Sequence, residues 1–458
     1  MKNLFLLIGF FAVVSSQLFA QTIAHSRAAT FEKGINYAEF GNFWTGNSSN
    51  NYMDYLDLSI LPYVKTQINL MSQMGFKTLR LPVCFSSWED GIAPYNIQRP
   101  QYFAAVDSVI KWTGQENMNV LVDFHHGVLK DSNFTTELPR IRDLWTQVAN
   151  RYPTTNPDKV FFEIYNEPND ISQTNWNNAA QQMVVLLRGI LPNHTLIVSG
   201  CDWGGLYGLQ NFPIMSDTNL IYSFHYYEPF LFTHQGASWA GVSVSTTNIP
   251  FPYNNAAMPP MNAALIGTWG EGAFNYYNVA GTCANLATDL TTAKNFSITN
   301  NVPVFCGEWG SYKDFAPTDS SRCNYVACLN STLTTKQIPH AMWEWDGGFS
   351  FFDAAIPSYA ALSTCMKSAM NINTLSSDSF ESTINNFRIY PNPASDFIEI
   401  SNSEKLSSIS ISNFLGQVVF ASNSPQPKID INSFSNGLYF IKCVDLENKT
   451  EVFKFLKV

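Results

Sequence analysis

Val160-Phe161-Phe162-Glu163-Ile164-Tyr165-Asn166-Glu167-Pro168 runs a block of apolar residues straight into an Asn-Glu-Pro tripeptide. Bulky apolar side chains on both faces mark a strand buried on both sides, as in a parallel sheet. Pro168 has no N–H for a ladder, so the strand is expected to end there. Glu167 then stands at the carboxyl end of a buried strand, where (β/α)8 barrels carry their catalytic groups. Taken alone, the tripeptide fits an ordinary strand ending in a turn equally well, with a solvated glutamate at the lip. The rest of the chain has to choose.

On either side the same unit repeats for about 340 residues, a short apolar strand followed by a longer segment with helical spacing. The strands are expected at Phe31–Ala38, Thr78–Phe85, Asn119–His126, Val160–Pro168, Thr195–Cys201, Leu220–Tyr227, Val302–Glu308 and His340–Trp345. Helices are expected at Leu61–Met74, Gln101–Asn117, Glu137–Asn150, Gln173–Ile190, Thr282–Asn300, Tyr325–Lys336 and Ala354–Met370. Only the connection from Trp203 to Met215 reads as short and weak. Eight strands alternating with helices give an α/β fold, and eight is the number that closes a TIM barrel rather than leaving an open sheet. No Gly-x-Gly-x-x-Gly follows the first strand and no Walker loop occurs, which removes the usual nucleotide-binding folds.

The longest connection, Glu228 to Gly281, holds Phe230, Phe232, Trp239, Phe251, Tyr253, Trp269, Tyr276 and Tyr277. So many rings argue against disorder, and the segment is expected to form a wall of a binding cleft. From Asn371 to Asn386 the composition turns to Ser, Asn and Thr, a linker. Beyond it the period drops to two, in Phe397–Ser401, Ile409–Ile411, Val418–Phe420, Leu438–Ile441 and Val452–Phe455, which reads as a small all-β sandwich. The expected organisation is therefore residues 1–20 as a signal peptide, 21–370 as the barrel, 371–386 as the linker and 387–458 as the sandwich.

Composition sets the outer bounds. A chain of 458 residues suits one domain of roughly 250 to 400 residues plus a smaller one. Lys+Arg number 26 against 36 Asp+Glu, and no basic run exists, so nucleic acid is not an expected partner. Charged and aromatic residues each make up 14%, a balance that suits a large core with some rings left over for stacking on sugars. Lys2, the apolar Leu4–Val14 and the small residues Ser15, Ser16 and Ala20 read as a secretory signal cut after Ala20. No stretch approaches the ~20 apolar residues of a membrane span. Cys323 and Cys328, close in sequence, are the expected disulfide, with Cys84, Cys201 and Cys306 packed as small hydrophobes.

The strand ends carry the chemistry. Arg80 lies in the second strand, and His125-His126 ends the third. Asn166-Glu167 ends the fourth and His225-Tyr226-Tyr227 the sixth, with Glu308 on the seventh and Trp343-Glu344-Trp345 on the eighth. A closed barrel brings these ends to one face, where Glu167 and Glu308 would oppose each other across a cleft. Two facing carboxylates, one kept neutral and one ionised, are what cleavage of a glycosidic bond requires. Arg80 and a tyrosine hydroxyl beside Glu308 would favour its ionised form. The histidines do not form a His-Glu-x-x-His pair, and no Gly-x-Ser-x-Gly turn occurs, so neither a catalytic metal nor a serine triad is expected.

Leu79-Arg80-Leu81-Pro82, Asp123-Phe124-His125, Tyr165-Asn166-Glu167-Pro168, His225-Tyr226-Tyr227, Phe305-Cys306-Gly307-Glu308 and Trp343 occur in that order, and together they resemble the cellulase type of glycoside hydrolase family 5. The resemblance spans about residues 28 to 370. It implies a retaining double displacement with Glu167 as acid/base and Glu308 as nucleophile. It further implies that Asn166 binds the sugar 2-hydroxyl and that Arg80 and Tyr227 hold the nucleophile. His125 and His225 would line the site, with Trp343 as the stacking ring. His126 doubles the usual single histidine and is expected to support the site, and Trp345 is expected to share the stacking. Glu228 to Gly236 is similar to a β-glucan-cleaving subgroup.

Tyr390-Pro391-Asn392-Pro393-Ala394, Asn413 to Gln417, Gly437-Leu438-Tyr439 and Phe453 to Lys457 resemble a type IX secretion sorting domain. That implies export through dedicated secretion machinery, to the medium or the cell surface. The expected protein is a monomeric, secreted endo-β-1,4-glucanase without cofactor or metal, acting on a β-glucan polysaccharide. Mannan, xyloglucan and mixed-linkage glucan are alternative substrates for the same machinery. A non-catalytic glycan-capturing surface protein is the rival of a different class.

Overall fold

The structure, a computed structural model, describes residues 21–38, 58–89, 91–98, 102–125, 127–313, 320–354, 356–372, 387, 389–413, 417–446 and 450–458. The expected signal segment 1–20, all but two residues of the expected linker, and His126 lie outside the described residues.

Eight parallel strands close a barrel in sequence order: β1 (Lys33–Asn36), β2 (Thr78–Val83), β3 (Asn119–Phe124), β4 (Val160–Glu163), β5 (Leu196–Ser199), β6 (Leu220–Tyr226), β7 (Val304–Trp309) and β8 (His340–Met342). Closure comes from β1 pairing with β8, Gly34 opposite Ala341. The strands read as near-continuous apolar runs because both faces are covered, one by helices and one by the barrel's own interior.

The helices run α1 (Ile23–Ala28), α2 (Leu61–Gln73), α3 (Phe103–Gln115), α4 (Phe134–Arg151), α5 (Gln173–Ile190), α6 (Leu206–Asn211), α7 (Phe230–Thr233), α8 (Trp269–Ala280), α9 (Cys283–Asn300), α10 (Ser321–Thr335) and α11 (Thr364–Ala369). Short α1 closes the amino end of the barrel. Behind it Phe31 meets Phe161 and Phe305 edge-on at 4.7 and 5.3 Å, within a buried cluster that includes Leu121, Ile197 and Ile221. Arg27 fastens α1, donating to Asp158 Oδ1 at 2.9 Å and to the Asn193 carbonyl at 2.6 Å. With one end plugged by rings, the opposite end is free to hold polar groups.

Three expectations need correction. Ala354–Met370 is not one helix: Pro357 interrupts it, and only Thr364–Ala369 is helical, started by Ser363, whose hydroxyl accepts from the Met366 amide. The eighth strand, expected to run from His340 to Trp345, stops at Met342. The disulfides are Cys283–Cys328 and Cys323–Cys365, not Cys323–Cys328. Cys323 and Cys328 both lie on α10, where five residues turn the helix by roughly 140° beyond a full circle, so their thiols leave on different faces. Each bridge ties α10 to a neighbouring helix, α9 or α11, over Cα separations of 5.8 and 5.9 Å. Cys84, Cys201 and Cys306 are buried, as expected.

The chain divides into two compact units, ending at Leu375 and beginning at Ser376. The second unit is antiparallel: β13 (Lys428–Asp430), β10 (Phe397–Ile400) and β9 (Ile389–Tyr390) form one sheet. A second sheet holds β12 (Val418–Ser422), β11 (Leu406–Asn413), β14 (Gly437–Asp445) and β15 (Thr450–Lys457). Alternate residues such as Ile398, Ile400, Ile409, Ile411, Ile441 and Phe455 are buried together, the two-residue period turned into a core.

Candidate active site

Arg80 is the hub. It is fully buried in β2, and a buried guanidinium must satisfy all its donors on fixed acceptors. Its Nε donates to Glu163 Oε2 at 2.6 Å; Nη1 donates to Asn36 Oδ1 at 3.0 Å and to Glu308 Oε1 at 2.7 Å; Nη2 donates to Asn166 Oδ1 at 2.7 Å. Asp123 Oδ2 stands 3.1 Å from Nη2. One side chain thus fixes groups from β1, β3, β4 and β7.

The regular ladder of β4 ends at Glu163, yet its bonding continues, since the Ile164 amide donates to Ile197 and the Asn166 amide to Phe124, each at 3.0 Å. That continuation delivers Asn166 and Glu167 to the carboxyl end of the barrel. Glu167 Oε1 lies 2.7 Å from His225 Nδ1, and His225 Nδ1 is 3.6 Å from Glu308 Oε2. Tyr227 donates its hydroxyl to Glu308 Oε2 at 2.9 Å. One carboxylate oxygen of Glu167, one of Glu308 and the His225 nitrogen all lie within 4.8 Å of one another. Three such groups could also ligate a cation, which makes this cluster the candidate for a metal among the described residues.

The electrostatics separate the two carboxyls. Glu167 is pushed up to about 7, first by burial, with the Arg80 charge opposing and the Glu163 charge adding. Its side chain keeps 25% of its surface, so the group is enclosed but reachable. Burial also raises Glu308, while His225, Arg80 and the Tyr227 hydroxyl pull it back down. Asp123 is pushed up to about 7 by burial against the pull of Arg80. Burial holds His125 and His225 below the ordinary histidine range, so both rings are neutral near pH 7.

His125 Nδ1 sits 2.6 Å from Asp123 Oδ2, and its ring stacks on Trp343 with centroids 5.6 Å apart and planes within 8°. Trp343 keeps part of its surface open. Trp345 does not share that role. It is fully buried, edge-on to Phe352 and Phe76, with its indole N–H donated to Gln67 Oε1 at 2.9 Å. The strand stops at Met342, so strand alternation no longer places residue 345 beside residue 343.

Arg80, His125, Asn166, Glu167, His225, Tyr227, Glu308 and Trp343 are thus brought together. Asn36, Asp123 and Glu163 are added by the structure as the acceptors that hold Arg80 and His125. A signal existed for two of them: Asp123 and Glu163 precede His125 and Glu167 by even numbers of residues, which on a strand means the same face.

A family model for the cellulase family, glycosyl hydrolase family 5, matches residues 35–348, and one for a secretion system C-terminal sorting domain matches residues 388–457. Among curated relatives, Endoglucanase 3 of Fibrobacter succinogenes is 28% identical over 346 residues, covering 70% of this chain and 50% of that protein. The chain thus spans half the length of that relative. Endoglucanase C of Acetivibrio thermocellus is 25% identical over 299 residues, covering 61% of this chain and 82% of its own. Among solved structures, endoglucanase Cel5A of Thermotoga maritima aligns with a TM-score of 0.61 at 23% identity, over 75% of this chain and 98% of its own. The cellulose synthase subunit Z of Clostridioides difficile gives 0.60 at 23% identity, over 74% and 99%. At such identities these structures speak for the fold.

Proposed function

The chain belongs to glycosyl hydrolase family 5, the cellulase family, and on that footing we propose that it is a retaining endo-β-1,4-glucanase with Glu167 as acid/base and Glu308 as nucleophile. The observation that carries this reading is that an oxygen of Glu167 and an oxygen of Glu308 lie within 4.8 Å of each other, close to the roughly 5–5.5 Å separation of retaining enzymes. Inverting enzymes need room for a water between the two groups, about 6.5 to 9.5 Å.

The residues then act in order. His225 Nε2 is buried with no partner, so the neutral ring keeps its proton on Nδ1, where it is donated to Glu167 Oε1. That leaves Glu167 Oε2 for the transferable proton. Glu167 passes the proton to the glycosidic oxygen while a Glu308 oxygen attacks the anomeric carbon, and the leaving sugar departs with the proton. A covalent glycosyl ester on Glu308 results. Glu167, now ionised, takes a proton from a water that attacks the same carbon, restoring Glu308 and the original anomeric configuration. Arg80 and Tyr227 hold the two Glu308 oxygens apart and aimed. Asn166, fixed through its Oδ1, offers its Nδ2 to a sugar hydroxyl, and Trp343 offers a ring face.

The sorting domain at residues 388–457 marks the protein as secreted or cell-surface. Among the described residues no helix is long and apolar enough to cross a membrane. The β-1,4-glucan assignment draws on the endoglucanase relatives. A product profile on carboxymethyl-cellulose, glucomannan and xyloglucan tests it. Falling viscosity and short β-configured products from the first support the reading, and activity confined to either of the others reassigns the substrate. Glycan binding without hydrolysis on all three would favour a glycan-capturing protein.

A further inference from the structure

Four consecutive side chains at the start of α10 are each tied to another segment. Arg322 Nε donates to the Ser311 carbonyl at 3.0 Å, and its Nη2 donates to the Phe349 and Ser350 carbonyls at 2.8 and 2.7 Å. Cys323 is bonded to Cys365 of α11. Asn324 Nδ2 donates to the Phe251 carbonyl at 3.2 Å, and the buried Tyr325 donates its hydroxyl to the Glu228 carbonyl at 3.3 Å. At roughly 100° per residue, four successive side chains fan out over most of a turn. One turn of helix therefore holds the connections after β6, β7 and β8, all at the carboxyl end of the barrel.

Arg322 spans the two loops nearest the chemistry. Ser311 follows Glu308 by three residues, and Phe349 follows Trp343 by six. The loops also touch directly, since the Lys313 amide donates to the Gly348 carbonyl at 2.9 Å and a Cβ on Gly310 would collide with the Trp343 carbonyl. A cation donating to three carbonyls makes charge-assisted bonds, stronger than those between neutral groups. The residue it grips most closely matters most. The buried Phe349 ring leans edge-on against Tyr227 at 5.8 Å and against His234 at 5.3 Å. Tyr227 is the residue whose hydroxyl Glu308 Oε2 accepts.

We infer that Arg322 is a positioning residue for the reaction: by fixing the loops after β7 and β8 it keeps Phe349 against Tyr227, and so keeps the tyrosine hydroxyl on Glu308. It touches no reacting group itself and acts through Tyr227. The adjoining Cys323–Cys365 bridge anchors the turn from which the guanidinium reaches out. The inference rests on the glycanase reading, which makes Glu308 the nucleophile.

The test is a double-mutant cycle on the full chain with Arg322→Ala, Tyr227→Phe and the two combined, assayed on whichever of carboxymethyl-cellulose, glucomannan and xyloglucan the wild type cleaves. Arg322→Ala is expected to lower kcat about tenfold and to leave KM within about twofold, because a nucleophile out of place slows chemistry more than binding. The acid limb of its kcat/KM profile should move to higher pH, as in Tyr227→Phe, since the hydroxyl lowers the Glu308 pKa while Arg80, His225 and Glu167 stay in place. The combined variant should be no slower than Tyr227→Phe by more than about twofold. Arg322→Lys, which keeps a cation but not the fork, is expected to show the same shift to a smaller degree, and it replaces the alanine variant in the cycle if that chain does not fold. Losses that multiply in the combined variant, an unmoved acid limb, or a change confined to KM overturn the positioning role and leave the glycanase reading intact. A wild-type chain that cleaves none of the three polymers overturns both.

Discussion

Tyr227 and Arg80 hold Glu308 by opposite oxygens, the phenol donating to Oε2 at 2.9 Å and the guanidinium to Oε1 at 2.7 Å. The carboxylate therefore cannot rotate without losing a charge-assisted bond. Burial favours its protonated form, and these contacts, with His225, oppose that tendency.

Tyr227→Phe removes one bond and leaves the ring. Because the hydroxyl lowers the Glu308 pKa, its loss moves that pKa up, and the acid limb of the kcat/KM profile should shift to higher pH. kcat/KM at the optimum should fall about 10- to 100-fold. A profile superimposable on wild type would remove Tyr227 from the site.

The two glutamates can be told apart by leaving group. Glu167→Ala should nearly abolish cleavage of a polysaccharide, yet spare glycosylation from an aryl glycoside whose leaving group needs no proton. Azide should then rescue turnover and give a β-glycosyl azide. Glu308→Gln should be inactive on both substrates while still binding glycan. An α-azide from the Glu167 variant would exclude the retaining assignment.

Most of the barrel was legible because its strands are apolar on both faces and its polar residues fall at their carboxyl ends. Glu167 and Glu308 could be paired from strand order alone. What stayed hidden depends on closure. The spacing of Glu163 from Glu167 hints at a shared face but not at its partner, which is known only when Arg80 of β2 turns toward it, and Asn36 carries no signal until β1 closes beside β2. The disulfide partners were equally hidden, since Cys283 and Cys365 come near α10 through helix packing that no spacing encodes. Trp345 misled because the strand ends before it and its indole turns to Gln67.

Arg80 should also matter for stability. Arg80→Leu leaves Asp123, Glu163 and Glu308 buried without their cation, a loss of about 3–5 kcal/mol for a broken buried pair. Protonation relieves the repulsion, so the loss measured by urea unfolding should be smaller at pH 5 than at pH 7. Equal losses at both would mean the guanidinium acts only by filling space. Arg80→Lys should not restore activity, because a point charge cannot satisfy four acceptors.

The alkaline limb of kcat/KM belongs to Glu167, which must be protonated in the free enzyme and is held at about 7. Activity should therefore fall as pH rises through about 7. Glu163 adds to that elevated value, so Glu163→Gln, which keeps an oxygen for Arg80 Nε, should move the limb to lower pH. Folding carries the same sign. A carboxyl whose folded pKa lies above its unfolded one holds its proton longer in the native state, so its stabilisation is present at low pH and is lost as pH rises from about 4.5 through about 7. Glu167→Gln removes that proton equilibrium. The fall in Tm between pH 4.5 and 7 should be shallower in this variant than in wild type, and parallel curves would place the elevated group elsewhere, with Asp123, also held at about 7, the next to substitute.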